Sequence, residues 1–245
     1  MLLLALAMPR PALAANGATA VDDTDIDPVG ACKVDSWASF ASNRDRIFNA
    51  SPGCVFNVGT PLDVTAGFQR VRSGDEWGTT AAIKFRAFRI PAEGGKISML
   101  FSAGGSYDVT SGEWATTLVN IPVTFQALEN VKLNVNGGWF YDHVDRLHWG
   151  TWGASVDWNI NERWSVIGEV FGQFGHSIVD QPRLTDPRAQ LVLRYKPNEN
   201  VDFDVVYGRN ITGENSNWIT VGLNLRFNAF GERPEPTPAR RLVLK

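Results

Sequence analysis

The chain has 245 residues, 44% of them hydrophobic and 20% charged, with a formal net charge of −3. This composition suits one folded domain with a large apolar surface to cover, and the slight negative balance gives no electrostatic case for nucleic acid. Gly (23) and Trp (9) are plentiful, and no run approaches the ~20 apolar residues of a membrane helix.

The first residues, "MLLLALAMPRPALA", combine an apolar core, a helix-breaking Pro pair and an Ala-x-Ala end. They predict a signal peptide cleaved after Ala14, although the usual positively charged start is missing from this stretch. Residues 15–61 follow as an N-terminal periplasmic or plug segment. An exported chain folds in an oxidising compartment, so Cys32 and Cys54 are expected to bridge; the alternative is two unpaired buried thiols. Neither reading is redox-active, because no Cys-x-x-Cys spacing is present. Between the cysteines, "DSWASFASNRDRIFNAS" places Trp37, Phe40, Ile47 and Phe48 on one helical face, which predicts a short amphipathic helix.

From residue 62 the sequence becomes a series of alternating segments: 62–71, 79–90, 96–107, 114–127, 131–142, 149–158, 164–175, 187–196, 201–209 and 218–227. Most approach the ~9–11 residues a tilted strand needs to cross a bilayer. The last, "WITVGLNLRF", sets Ile219, Val221, Leu223, Leu225 and Phe227 on one side. Trp218, Thr220, Gly222, Asn224 and Arg226 take the other, a period of two. No second domain is evident, and residues 228–245 read as an extended, Pro-rich periplasmic tail.

Such a stripe faces either lipid or a second protein layer. No charge interrupts it in mid-segment, as where a mid-bilayer charge costs about 2–4 kcal/mol. Trp139, Tyr141, Trp152, Phe174, Tyr107 and Tyr207 lie toward one set of segment ends, and Trp158, Trp164, Tyr195 and Phe227 toward the other, like two interfacial girdles. Long links ("DHVDRLH", "GHSIVDQPRLTD") alternate with short ones ("LEN", "KPNEN"). Together these predict an all-β fold, a transmembrane antiparallel up-and-down barrel of about ten strands (twelve possible) in the bacterial outer membrane. Pro122 resists this, since a closed sheet has no free edge for a missing N–H. A bulge, or a strand ending near Asn120, is expected there.

Parity turns Lys84, Arg86, Glu169, Arg188, Arg194, Asp202 and Asp204 inward, as the lining of a solute path. Opposite charges at similar heights predict structural pairs: Lys132 with Asp157, Arg194 with Asp202, and Asp63 with Arg226, the last closing strand ten onto strand one. A charged ring that selects solutes is the sharper alternative. Ten strands lie nearer the filled limit than the open-channel one, so a wide general pore is not expected. His143, His148 and His176 map to the predicted extracellular rim with Asp142, Asp145, Asp180 and Ser177. An Asp/His pair, or a His/Ser arrangement with Glu169, is conceivable for hydrolysis, but the spacing matches no acyl-transfer or protease motif. No catalytic residue, cofactor or metal site is assigned.

Three stretches, "LVNIPVTFQALENVKLNVNGGWFYD", "NERWSVIGEVFGQFG" and "VDFDVVYGRNITGENSNWITVGLNLRF", resemble a class of Gram-negative outer-membrane proteins, the transporters grouped with the meta-pathway of phenol degradation. The resemblance covers roughly 115–227, and implies passage of small, aromatic compounds through the outer membrane. The cysteine segment and the tail beyond Phe227 depart from it. The leading expectation is therefore passive or gated passage of small solutes. A structural or interaction barrel in an envelope assembly is the alternative, and a surface-loop hydrolase the third. Expected partners are outer-membrane lipid, the barrel-insertion machinery, small solutes and a periplasmic protein at the tail.

Overall fold

The structure, a computed structural model, describes residues 18–92, 96–175, 184–185, 187–212 and 215–229. The expected signal peptide and nearly all of the expected tail lie outside them. Among the described residues there is no α-helix. The strands are β1 (Ala31–Ala41), β2 (Arg46–Asn57), β3 (Pro61–Ser73), β4 (Glu76–Pro91), β5 (Ile97–Asp108), β6 (Glu113–Leu128) and β7 (Val131–Asp142). They continue with β8 (Leu147–Asn159), β9 (Trp164–Gly175), the two-residue β10 (Leu184–Thr185), β11 (Arg188–Asn198), β12 (Val201–Asn210) and β13 (Asn217–Asn228).

Each long strand pairs antiparallel with its chain neighbours, and β1 pairs with β13 from Ala31↔Asn228 to Ala41↔Trp218, so the sheet closes on itself. β10 pairs with the end of β9 ahead of β11 and adds no wall of its own. The twelve long strands form one barrel.

Burial follows the period of two, but in the reverse sense of a soluble protein. Along β5, Ile97, Met99 and Phe101 are exposed while Ser98, Leu100 and Ser102 are buried. Along β12, Phe203, Val205 and Tyr207 are exposed while Asp202 and Asp204 are each 1% exposed. Phe68 (56%), Leu191 (56%) and Val205 (53%) stand on the outer surface with no protein over them. Apolar-out, charge-in is what hydrocarbon outside a closed wall selects, and it excludes two stacked sheets. The exposed aromatics Trp77, Tyr107, Trp139, Trp152 and Tyr207 ring one end, and Phe56, Phe125, Trp158, Trp164 and Phe227 the other.

The segment expected to be helical forms the wall strands β1 and β2. Trp37 turns inward, whereas Phe40 and Phe48 meet edge to face on the outer surface, 6.0 Å between centroids. The chain reverses at residues 42–45, with Arg44 at φ 75°. Cys32 and Cys54 are directly opposed and disulfide-bonded. Closure therefore runs through β1–β13, and Asp63 on β3 is two strands away from the seam where its pairing with Arg226 was placed.

The link between β3 and β4 is a tight turn at Gly74–Asp75, since β4 begins at Glu76. One further difference has a local cause. Strand β6 neither stops nor bulges at Pro122. The β6–β7 ladder runs through Pro122↔Asn136, while on the β5 side pairing lapses between Met99↔Val123 and Ser102↔Asn120 and resumes in the same register. The missing N–H is absorbed as a gap in one ladder.

Candidate functional site in the lumen

Residues 18–30 lead from the lumen into β1 and form a strap along the inner wall. Pro28 and Gly30 turn the chain at the rim: Gly30 adopts φ 88°, its N–H donates to Val55 O (2.9 Å), and Ala31 N–H donates to Pro28 O (3.0 Å). Only glycine tolerates that φ without strain. Thr24 is fully buried, and Thr19, Val21 and Asp22 nearly so.

The strap is held along its length. At its upper end Ala18 packs on an inward apolar cluster, Ile167, Val192 and Val206. Ala20 and Val21 donate their backbone N–H groups to Glu169 (3.1 and 3.0 Å), and Gln190 donates to both Glu169 and Ala18 O. Asp22 accepts two bonds from Lys84 Nζ (2.9 Å each) and one from Asn120 (2.8 Å). Asn136, with its amide turned to suit both groups, pairs with the Asp22 backbone. Arg86 donates to Asp23 O (2.7 Å) and pairs with its carboxylate (3.3 Å). Thr24 bonds Thr124 (3.0 Å) and Ser98, and Asp25 pairs with Lys132 and with Arg89 (3.5 Å). Close approach needs bare wall: a Cβ on Gly153 would meet Val21 at 3.0 Å, and one on Gly222 would meet Ala18 at 3.4 Å.

Asp22 and Asp25 lie on the strap, not on a membrane-crossing strand. Burial would raise both carboxyls, but Lys84 and Arg86 beside Asp22, and Lys132 and Arg89 beside Asp25, outweigh it and hold both below the ordinary range. Both are therefore charged at neutral pH.

All seven expected lining residues face inward, but they form no open ring: Lys84, Arg86, Arg194, Asp202 and Asp204 are held in ion pairs, and Glu169 accepts from the strap. Arg194 pairs with Asp204 (2.7 Å), not Asp202, because a bulge between Tyr195 and Asn198 sets it opposite Asp204. Asp202 takes Arg226 (2.6 Å), and Asp63 takes Lys33 (3.0 Å) and Arg86 (3.5 Å), which replaces the expected Asp63–Arg226 pair. Lys132 and Asp157 are in register but do not form the expected pair. The lysine instead bonds Asp25, and Asp157 accepts from Ser155 (2.8 Å) and Asn134 (2.9 Å). Arg188 stands opposite Phe171 near the far mouth.

Sequence reasoning missed the strap, although "VDDTDIDP" at 21–28 carries its carboxylates in one run. It also missed the inward aromatics Trp37, Phe140, Trp149, Phe171 and Trp218 in the half of the lumen beyond the strap, which parity alone would have found. Phe140 and Trp149 stack at 6.0 Å. The rim residues weighed for hydrolysis do other work. Asp142 caps its own turn through Val144 and Asp145 N–H (2.9 and 3.0 Å), His143 bonds Thr117 (2.9 Å), and His148 stacks on Trp139 (5.6 Å). Glu169 binds the strap, and His176, Ser177 and Asp180 lie outside the described residues.

A closed antiparallel wall, apolar outside and ion-paired inside, is a transmembrane β-barrel of the outer-membrane class. The chain belongs to the family described as "Uncharacterised conserved protein UCP029691", which matches residues 2–227. No curated protein matches it in sequence. Among solved structures it is similar to the NanC porin (TM-score 0.63, 9% identity, 78% of this chain and 98% of that one). It is also similar to the COG4313 outer membrane channel from Pseudomonas putida F1 (0.61, 12%, 84% and 98%). A third is the KdgM porin in complex with disordered oligogalacturonate (0.59, 10%, 80% and 99%). At these identities the likeness establishes the fold.

Proposed function

We propose that the protein is a gated outer-membrane conduit for small solutes, with its own residues 18–27 as the gate. The observation that carries this is the chemistry of the strap. Asp22, Asp23 and Asp25 occupy Lys84, Arg86, Arg89 and Lys132 as carboxylate ligands, so withdrawing the strap leaves a basic wall along one side of the lumen. A passing anion would take the place of the strap carboxylates. The inward aromatics beyond the strap suit a flat ring, and the indole N–H groups of Trp37 and Trp149 are buried without an acceptor among the described residues. Together with the resemblance to the phenol meta-pathway transporters, this favours small aromatic compounds bearing a carboxylate.

Planar-bilayer recording tests it. The wild-type barrel is expected to be closed with brief openings, and a variant lacking residues 15–27 to conduct steadily with anion preference. Liposomes containing that variant should swell faster in a small aromatic carboxylate than in a neutral sugar of the same size. A strapless barrel that folds and stays silent would refute passage and support the structural or interaction reading.

A further inference from the structure

One corner of the outer surface is strongly cationic. Arg46 on β2 and Arg72 on β3 are directly opposed across the ladder, and Arg70 lies two residues further along β3, opposite Phe48. All three share the outward parity of Phe68, and Arg44 adds a fourth cation in the adjoining turn. Trp77 of β4, opposite Arg72, braces them, with the Arg70 guanidinium 5.0 Å and the Arg72 guanidinium 5.9 Å from its ring centroid. Trp77 in turn stacks on Phe48 (6.2 Å).

The neighbouring acids offset the corner only in part. Asp75 pairs with Arg72 (3.1 Å) from a fully exposed position in the turn. The Asp45 carboxylate accepts from Asn43 (2.8 Å) in its own turn and from Gly74 N–H (3.4 Å) in the β3–β4 turn, and Glu76 is in register with inward-facing Ser73. Further round the described part of this rim, outward-facing Arg209 has Ala189 and Asn217 as its cross-strand partners.

Like charges directly opposed across a ladder repel unless an anion joins them. Arg72 spends Nε on Gly74 O (3.0 Å) and Nη2 on the exposed Asp75, whereas the Arg70 guanidinium, held over the indole, has its N–H edge available, and that fork matches phosphate oxygens. Aromatic girdles mark the headgroup level, so these arginines stand at the depth of lipid phosphates. Below them Phe68, Ile83 and Phe85 present an exposed apolar strip. The end concerned is opposite the chain entry into β1 and the short turns, which is the extracellular end in barrels of this class.

We infer that Arg46, Arg70 and Arg72, braced by Trp77 and Phe48, bind the phosphate of an anionic glycolipid of the outer leaflet, with its acyl chains on Phe68 and Ile83. The site is independent of whether solutes pass through the lumen. The full chain, purified in mild nonionic detergent, is titrated with diphosphoryl lipid A, with the same glycolipid dephosphorylated, and with phosphatidylglycerol, with inorganic phosphate as competitor. Diphosphoryl lipid A is expected to bind at least ~10-fold tighter than either other lipid, a preference that R46Q/R70Q/R72Q abolishes and R70K weakens because the fork is lost. Inorganic phosphate at equal concentration should not displace it. Equal affinity for phosphorylated and dephosphorylated lipid, a preference for phosphatidylglycerol, displacement by equimolar phosphate, or an unchanged preference in the triple variant would each overturn the assignment. Should the triple variant fail the heat-modifiability check for a folded barrel, the single R70K variant decides: an unchanged preference refutes the site.

Discussion

Asp22 is where the strap and the wall meet most densely, with Lys84, Asn120 and Asn136 converging on one residue. Replacing it by Asn keeps the shape and removes the charge that Lys84 is buried against. Breaking such a pair costs about 3 kcal/mol or more, which would raise the open-to-closed ratio about a hundredfold. D22N is therefore expected to raise open probability in bilayer recordings while the barrel stays heat-modifiable. The groups facing Asp22 and Asp25 are Lys84, Arg86, Arg89 and Lys132, all cationic. Because both carboxyls are held below their unfolded value, their hold is fully present above that value and is lost as pH falls through the depressed one. The part of the hold that these two carboxylates supply should thus be lost only in strong acid, and D22N, which removes one of them, should favour opening at higher pH. Gly153 offers a steric counterpart. A valine there would occupy the place of the Val21 side chain, so G153V should also favour opening, whereas G137A, with open space around it, should change nothing.

At the scale of elements, the hairpin β1–β2 decides closure, since β1 is the strand that meets β13. The Cys32–Cys54 bond spans 22 residues, and constraining a loop of that size in the unfolded chain is worth about 3 kcal/mol. C32S/C54S is expected to lower the temperature at which the folded band converts on a gel, by the same amount that reductant lowers it for the wild type. The ten strands from Leu62 onward were legible because their outward residues are large and apolar without interruption. The hairpin was not, because between Phe40, Phe48 and Phe56 its outward parity reads Val34, Ser36, Ala38, Ala50, Pro52 and Cys54, too small and too polar to signal a lipid face. In the same way the inward charges were legible from parity, but their partners depended on a bulge that parity does not reveal, as the pairing of Arg194 with Asp204 shows.

For the molecule as a whole, lipid takes the place of a core on the outside and paired charges take it within. An arginine at Val205, in the middle of the exposed apolar belt, is expected to cost about 2–4 kcal/mol in folding into bilayers, measured by denaturant titration in vesicles. Deletions separate gate from wall in the same spirit. Loss of residues 15–27 should leave a folded barrel, whereas loss of 31–60 removes two strands and should prevent closure. The strap runs on covalently into that wall through the turn at Pro28 and Gly30. A released strap consequently remains tethered at the mouth it came from. Its return is a unimolecular event, governed by an effective concentration of order millimolar, so the resting state is indifferent to how many barrels share the membrane. A free peptide copy of residues 18–27 would have to be supplied at about that level to silence a strapless barrel.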